Sequence, residues 1–149
     1  MKKLILAILF IACTLPANSQ IEEMEVEAET EIISKVKELS NFLGSLRKKE
    51  DLYFIVYRDW TYKSIISKEY FEIGELEDLY EFKKILYNAI NKKESKKFKI
   101  RGNVFNVKPV YKRYLSISIE EKGLYLRDMG NWSIKKIEKL IPRELFSKK

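Results

Sequence analysis

The sequence predicts an α+β fold, in which an antiparallel sheet of about five to six strands has helices packed on one face. Three observations predict this class. Residues 52–57 are β-branched and aromatic, as in a buried strand. From Glu75 the apolar residues recur with a helical period, and from Leu115 they alternate as in a half-buried strand. The predicted order is α-β-β(β)-α-β-β-β-α, and its short connections favour antiparallel pairing.

The first predicted helix of the domain covers residues 32–46. Its apolar residues follow a four-three-four-three spacing, which would place them on one helical face. They are Ile32, Val36, Leu39, Leu43 and Leu46. Two heptads are short for a coiled coil, so the pattern favours a helix packed on its own domain, with a dimer contact as the alternative.

The middle of the chain predicts two strands followed by a long helix. Residues 58–61 are a predicted turn after the first strand, and residues 62–67 and 69–73 resume strand character. Gly74 ends that strand. The helix that follows has acidic residues in its first turn and lysines at its end, an order that suits the helix dipole. Its apolar face is formed by Leu76, Leu79, Phe82, Leu86 and Ile90.

The second half predicts further strands and a closing helix. Residues 98–101 and 104–107 are predicted strands around a tight turn at Gly102-Asn103, and Pro109 indicates an edge or a strand boundary. Residues 115–120 and 124–126 form a predicted hairpin, whose turn contains Gly123.

Residues 128–131 are predicted to end the sheet. Asn131 or Ser133 can cap the last helix, and Pro142 stops it.

Residues 1–19 are typical of a secretory signal peptide. A basic start precedes an apolar run over residues 4–12, which is too short for a stable membrane span, and Ala17-Asn18-Ser19 matches a cleavage pattern. We predict cleavage between Ser19 and Gln20, and therefore a periplasmic or secreted protein without a transmembrane span. Cys13 leaves a lipid anchor as the alternative.

The remaining chain divides into an acidic arm and a single domain. Residues 20–31 contain six glutamates, which predicts a flexible arm, and residues 32–149 form the predicted α+β domain. Charge is unevenly distributed along this chain. Residues 20–81 contain 8 Lys and Arg against 16 Asp and Glu, whereas residues 82–149 contain 19 against 6. Such asymmetry is compatible with a surface that binds polyanions, or with an acidic arm lying against a basic body.

The composition argues against most catalytic chemistries. The chain has no histidine, and its one cysteine falls in the predicted leader. The commonest general base, the commonest metal ligand and the usual activator of a nucleophile are therefore missing, and thiolate catalysis and thiolate zinc sites are excluded. The sequence predicts a protein that is not an enzyme, with no metal site and no cofactor. A hydrolase using two carboxylates is the alternative, and its candidate residues are Asp59, Glu120, Glu121 and Asp128.

Aromatic and basic residues predict an interaction surface instead. Tyrosine and tryptophan are common at binding surfaces because they combine a large contact area with a polar group. The candidates are Trp60, Tyr62, Tyr111, Tyr114, Lys92, Lys93, Lys96 and Lys97. We expect another protein of the cell envelope as the partner, and export disfavours nucleic acid. The alternative is a polyanion or an anionic lipid, bound through Lys83, Lys84, Lys92, Lys93, Lys96, Lys97, Lys99 and Arg101.

Overall fold

A computed structural model describes residues 29–147, except residues 112, 122 and 124. The predicted leader, its cleavage site at Ser19 and Gln20, Cys13 and most of the acidic arm lie outside the described residues. The region from Glu31 onward is one compact unit of eight strands and two α-helices.

The chain forms two antiparallel four-stranded sheets, each followed by a helix. The first sheet consists of β1 (Glu31–Glu38), β2 (Asn41–Lys49), β3 (Leu52–Asp59) and β4 (Ser67–Gly74), and it is followed by α1 (Leu76–Lys92). The second consists of β5 (Lys96–Ile100), β6 (Asn103–Val110), β7 (Tyr114–Glu121) and β8 (Tyr125–Ser133), and it is followed by α2 (Ile134–Leu140) and a 3₁₀ turn (Arg143–Phe146). The α+β class is therefore confirmed, but the single sheet of five to six strands is wrong.

The predicted helix over residues 32–46 is also wrong, because this segment forms β1, a turn and most of β2. Five consecutive residues of β2, from Leu43 to Arg47, are buried, so both faces of the strand are covered. A strand buried on both faces lacks the alternation that identifies a strand in a sequence. The leucine spacing happened to match a helical period, and cross-strand pairing outweighed it.

Two boundaries around the loop between β3 and β4 also differ from prediction. Arg58 and Asp59 continue β3 instead of forming a turn, and residues 62–66 belong to an irregular loop where a strand was predicted. Similarly, residues 128–131 do not end the second sheet, because β8 continues to Ser133.

The other predicted elements are present close to their expected positions. Helix α1 begins one residue after Glu75, and the side chains of Glu75 and Asp78 form a reciprocal capping box at its start. Ser133 caps α2 by accepting a hydrogen bond from the Lys136 amide at 3.3 Å. Pro109 lies beyond the last β6 residue that pairs with β5, so its missing amide breaks no pair with β5.

One hydrophobic core joins the two sheets and α1. At its centre, four phenylalanine rings come from four different elements. Phe105 of β6 lies 4.8 Å from Phe71 of β4, 5.8 Å from Phe82 of α1 and 5.4 Å from Phe98 of β5, measured between ring centroids. Trp132 of β8 is 2% exposed. These aromatic contacts fix the second sheet against the first and thereby position the loops described next.

Candidate functional site

An open groove of about 520 Å³ lies where the loop ends of the two sheets meet. Its floor is the second half of β8, from Asp128 to Trp132. Its walls come from three connections: the end of β1 beside the β1–β2 turn, the β3–β4 loop, and the β6–β7 turn. The side chains that line these walls include Glu38, Trp60, Lys63, Tyr111, Tyr114 and Lys136.

Asp59 fixes the base of the β3–β4 loop against β8. One of its carboxylate oxygens accepts hydrogen bonds from the Thr61 amide at 2.9 Å, the Thr61 hydroxyl at 2.6 Å and the Asp128 amide at 3.1 Å. In addition, the Trp60 amide donates to the Asp128 carbonyl at 2.7 Å. Asp59 and Thr61 therefore form a local turn. The bonds to Asp128 join this turn to the second sheet.

Arg127 completes this junction as the partner of three carboxylates. Its guanidinium lies 3.3 Å from Asp59, 2.7 Å from Glu69 and 3.9 Å from Glu121. Burial alone would raise the pKa of Asp59, but the hydrogen bonds from Thr61, Asp128 and Arg127 outweigh burial and lower that pKa. Asp59 is therefore an ionised structural carboxylate.

Trp60 is held between a cation and a glycine. The Arg58 guanidinium carbon lies 3.9 Å from the centroid of the indole ring, a cation–π contact worth about 1–2 kcal/mol when partly desolvated. On β8, a Cβ added to Gly130 would come within 2.8 Å of Trp60 Cδ1. Gly130 also has φ of +80°, so the close approach of the indole and the local backbone both require glycine here.

The rest of the groove lining presents tyrosine and lysine side chains. Lys136 Nζ lies 2.9 Å from a carboxylate oxygen of Glu38 and 5.9 Å from the centroid of the Tyr114 ring. Tyr111 is 88% exposed. Lys63 has no ion-pair partner among the residues that the structure describes, so its ammonium group is available to a ligand.

A second open groove, of about 680 Å³, adjoins the first through Tyr114, which lines both. Three cationic residues line it: Lys93, Arg113 and Lys135. Its acidic residue, Glu138, is paired with Arg143 at 2.5 Å. The second groove therefore has an excess of positive charge.

The structure brings together three of the eight predicted interaction residues, Trp60, Tyr111 and Tyr114. Tyr62 belongs to the same loop as Trp60 and is 63% exposed, but it does not line the groove.

The predicted lysines occupy several places. Lys92 is an exposed residue at the end of α1, and Lys93 lines the second groove. Lys96 is paired with Glu94 at 2.7 Å, and Lys97 lies 3.6 Å from Glu120. Lys83 cannot contribute to a basic surface, because it is 7% exposed and donates to the Ile141 carbonyl at 2.5 Å.

Each of the four carboxylates considered for hydrolysis has a structural partner. Asp59 and Glu121 both pair with Arg127, and Asp128 accepts a hydrogen bond from the Gly130 amide at 2.7 Å. Glu120 lies elsewhere, accepting from the Asn106 side chain at 3.1 Å. A general acid needs a raised pKa, whereas that of Asp59 is lowered.

Sequence reasoning missed Glu38, Lys63 and Lys136 as groove residues. Glu38 was assigned to a helix, and the two lysines carry no motif. One local signal was present: in Asp59-Trp60-Thr61, an aspartate precedes a threonine by two positions, a pattern that favours a side-chain-stabilised turn. That turn would have placed Trp60 at the start of an exposed loop.

Comparison with known proteins gave no match to a family model, to a curated protein or to a solved structure. Within the described part of the chain, no helix has both the length and the apolar character needed to span a membrane.

Proposed function

We propose that this chain is an exported accessory protein that binds a partner protein in the groove and does not catalyse a reaction. One observation supports this proposal above the others. Trp60, Tyr111 and Tyr114, which come from both sheets, converge on one open groove that also contains two lysines. Tryptophan and tyrosine are among the residue types that dominate the energetics of protein interfaces.

The groove indicates the chemistry of the partner. Trp60 is held in place by Arg58 and Gly130, so a ligand binds a preformed aromatic surface with little loss of side-chain entropy. Lys63 is available to a carboxylate, whereas Lys136 is already neutralised by Glu38. The groove is open to solvent, which suits an extended chain. The proposed ligand is an extended segment of a protein, with an apolar or aromatic side chain next to an acidic residue.

A pull-down from the cell envelope of the source cells tests this function. The protein is expressed with its own leader, purified after export, and offered an envelope extract at low and high salt. We expect one partner to survive high salt and to be lost with Tyr111→Ala. Tyr80→Ala is the matched control, because Tyr80 is an exposed tyrosine on α1, away from the groove.

Calorimetric titration of the identified partner then measures how much Tyr111→Ala weakens its binding. Tyr111→Ala should weaken binding about tenfold or more, as expected for a central aromatic contact. Equal binding by both variants would contradict the groove as the site. Turnover of a substrate, abolished by Asp59→Asn, would contradict the non-enzymatic function.

Polyanion binding is the second candidate, favoured by the cluster of Lys93, Arg113 and Lys135 in the second groove. Binding by charge alone falls steeply as salt rises. Capture of many ligands that are all lost at high salt would support this candidate against the first.

A further inference from the structure

Large apolar side chains project from the three connections that surround the groove. The four most exposed in the described chain all lie there: Leu39 at 93%, Tyr111 at 88%, Ile66 at 72% and Tyr62 at 63%. Ile65 is 58% exposed and lies in the same loop as Ile66 and Tyr62. Exposed aliphatic residues grouped at one end of a domain indicate a contact with an apolar environment.

The turn conformations of Leu39 and Tyr111 add an independent observation. Leu39 has φ of +46° and Tyr111 has φ of +59°. Glycine or asparagine is favoured at such positions, and a larger residue is strained there. The two most exposed apolar side chains thus occupy positions where turn chemistry selects against them. Ser40, Glu50, Lys93 and Arg101 adopt the same conformation but are polar, so Leu39 and Tyr111 are the two apolar residues among the described non-glycine residues with positive φ.

The charge of the three connections indicates which kind of apolar environment their exposed side chains would contact. The three connections, residues 39–40, 60–66 and 111–113, contain three basic residues and no acidic residue in the sequence. The acidic residue next to Leu39 is Glu38, which is neutralised by Lys136 at 2.9 Å. At the other end of the first sheet, the β2–β3 turn is Glu50-Asp51, and both residues are exposed. The three connections therefore form a basic, apolar end of the unit.

We propose that these three connections form a docking end that inserts its apolar tips into the surface of an anionic phospholipid bilayer. Leu39, Ile65, Ile66 and Tyr111 enter the boundary between headgroups and acyl chains, while Lys63 and Arg113 contact lipid phosphates. Apolar insertion together with electrostatic attraction is the combination that gives peripheral proteins stable membrane binding. The groove then opens onto the headgroup layer. This docking goes beyond the proposed protein partner and does not depend on it. Tyr111 and Lys63 belong to both surfaces, whereas Leu39, Ile65 and Ile66 belong to the docking end and do not line the groove.

Sedimentation with lipid vesicles tests the proposal. The exported protein is mixed with vesicles of phosphatidylcholine alone, or of phosphatidylcholine with phosphatidylglycerol. We expect binding to the anionic vesicles only. The Ile65→Ser/Ile66→Ser variant should lower the partition coefficient at least about tenfold, because two aliphatic side chains no longer leave water. The Ile32→Ser/Tyr70→Ser variant is the control, since both residues are exposed on strands of the first sheet.

Leu39→Asn separates docking from folding. Asparagine accepts a positive φ, so this variant should keep or raise the thermal midpoint while it weakens vesicle binding. Binding equal to that of the original protein would overturn the proposal, as would failure of the protein to bind anionic vesicles at low salt. Self-association through the tips in lipid-free buffer, lost in Ile65→Ser/Ile66→Ser, would also overturn it in favour of a second copy. Retention of the groove partner by the isoleucine variant would show that the two functions are separate.

Discussion

Replacement of Asp59 by alanine tests the structural role of the junction between the sheets. Asp59 is 1% exposed and accepts hydrogen bonds from Thr61, Asp128 and Arg127. The alanine variant removes the acceptor of the Thr61 amide and leaves the Asp128 amide with the Thr61 hydroxyl alone, at 3.2 Å. Each amide that loses its partner costs about 1–3 kcal/mol where water cannot replace the bond.

The lost ion pair adds less, because the Arg127 side chain is 28% exposed and keeps Glu69 at 2.7 Å. Asp59→Ala should therefore lower the free energy of unfolding by about 3 kcal/mol. Asp59→Asn should cost about 1 kcal/mol, since its amide oxygen still accepts from the two backbone amides.

Urea denaturation at neutral pH, followed by tryptophan fluorescence, measures both variants. Glu94→Ala is the control, because Glu94 forms an exposed ion pair with Lys96 and its loss should leave the free energy of unfolding nearly unchanged. A loss below about 1 kcal/mol for Asp59→Ala would refute the structural role assigned to this carboxylate.

Acid titration provides a second test of the same carboxylate. The pKa of Asp59 is lowered in the folded protein, so the unfolded chain binds a proton first as the pH falls. The free energy of unfolding that ionised Asp59 contributes is fully present above about pH 4, the ordinary pKa of an aspartate. It is lost as the pH falls through the lower pKa of the folded protein. The difference in unfolding free energy between the original protein and Asp59→Ala should therefore shrink in acid.

Three further substitutions test the packing and the groove. In Gly44→Ala, the new Cβ would lie 3.0 Å from Trp132 Cη2, so we expect a loss of about 1–3 kcal/mol in thermal unfolding; an unchanged midpoint would mean that Trp132 can move freely. Burial, helped by Glu69 and Asp59, raises the pKa of Tyr57, so the unfolded chain loses this proton first and stability falls as the pH rises above about 10. Tyr57→Phe should make that alkaline loss smaller, and identical pH profiles would contradict the assignment. Gly130→Ala should displace Trp60, altering its fluorescence and weakening partner binding, whereas unaltered fluorescence would show that the indole does not need the glycine.

The sequence revealed the elements whose periodicity comes from one buried face. Helix α1 packs on the sheets with one side, and the hairpin of β7 and β8 has one wet face along β7. Strand β2 gave no such signal, because both of its faces are covered. The turn before it, Leu39-Ser40, has two positive φ values without a glycine or asparagine to indicate them. Two strands and a turn were thus mistaken for a helix.

The site depends on tertiary structure that no local pattern contains. Trp60 and Tyr111 are far apart in the sequence, and they meet only because β8 passes beside the end of β3. The sequence identified the aromatic residues as candidates from their chemistry. It could not indicate that Lys96 and Lys97 would be paired with acidic neighbours, or that Lys83 would be buried.

The pairing of each strand with its neighbour in the sequence has a consequence for how the protein folds. Within each sheet, every pair of adjacent strands is joined by a short connection. Pairing two strands therefore costs little loop-closure entropy. The first sheet can therefore assemble while the second half of the chain is still unfolded. Its Phe71, together with Phe82 of α1, then stays exposed until Phe105 arrives. During that interval the half-folded chain is vulnerable to proteolysis and aggregation, and the Asp59 junction with β8 forms last.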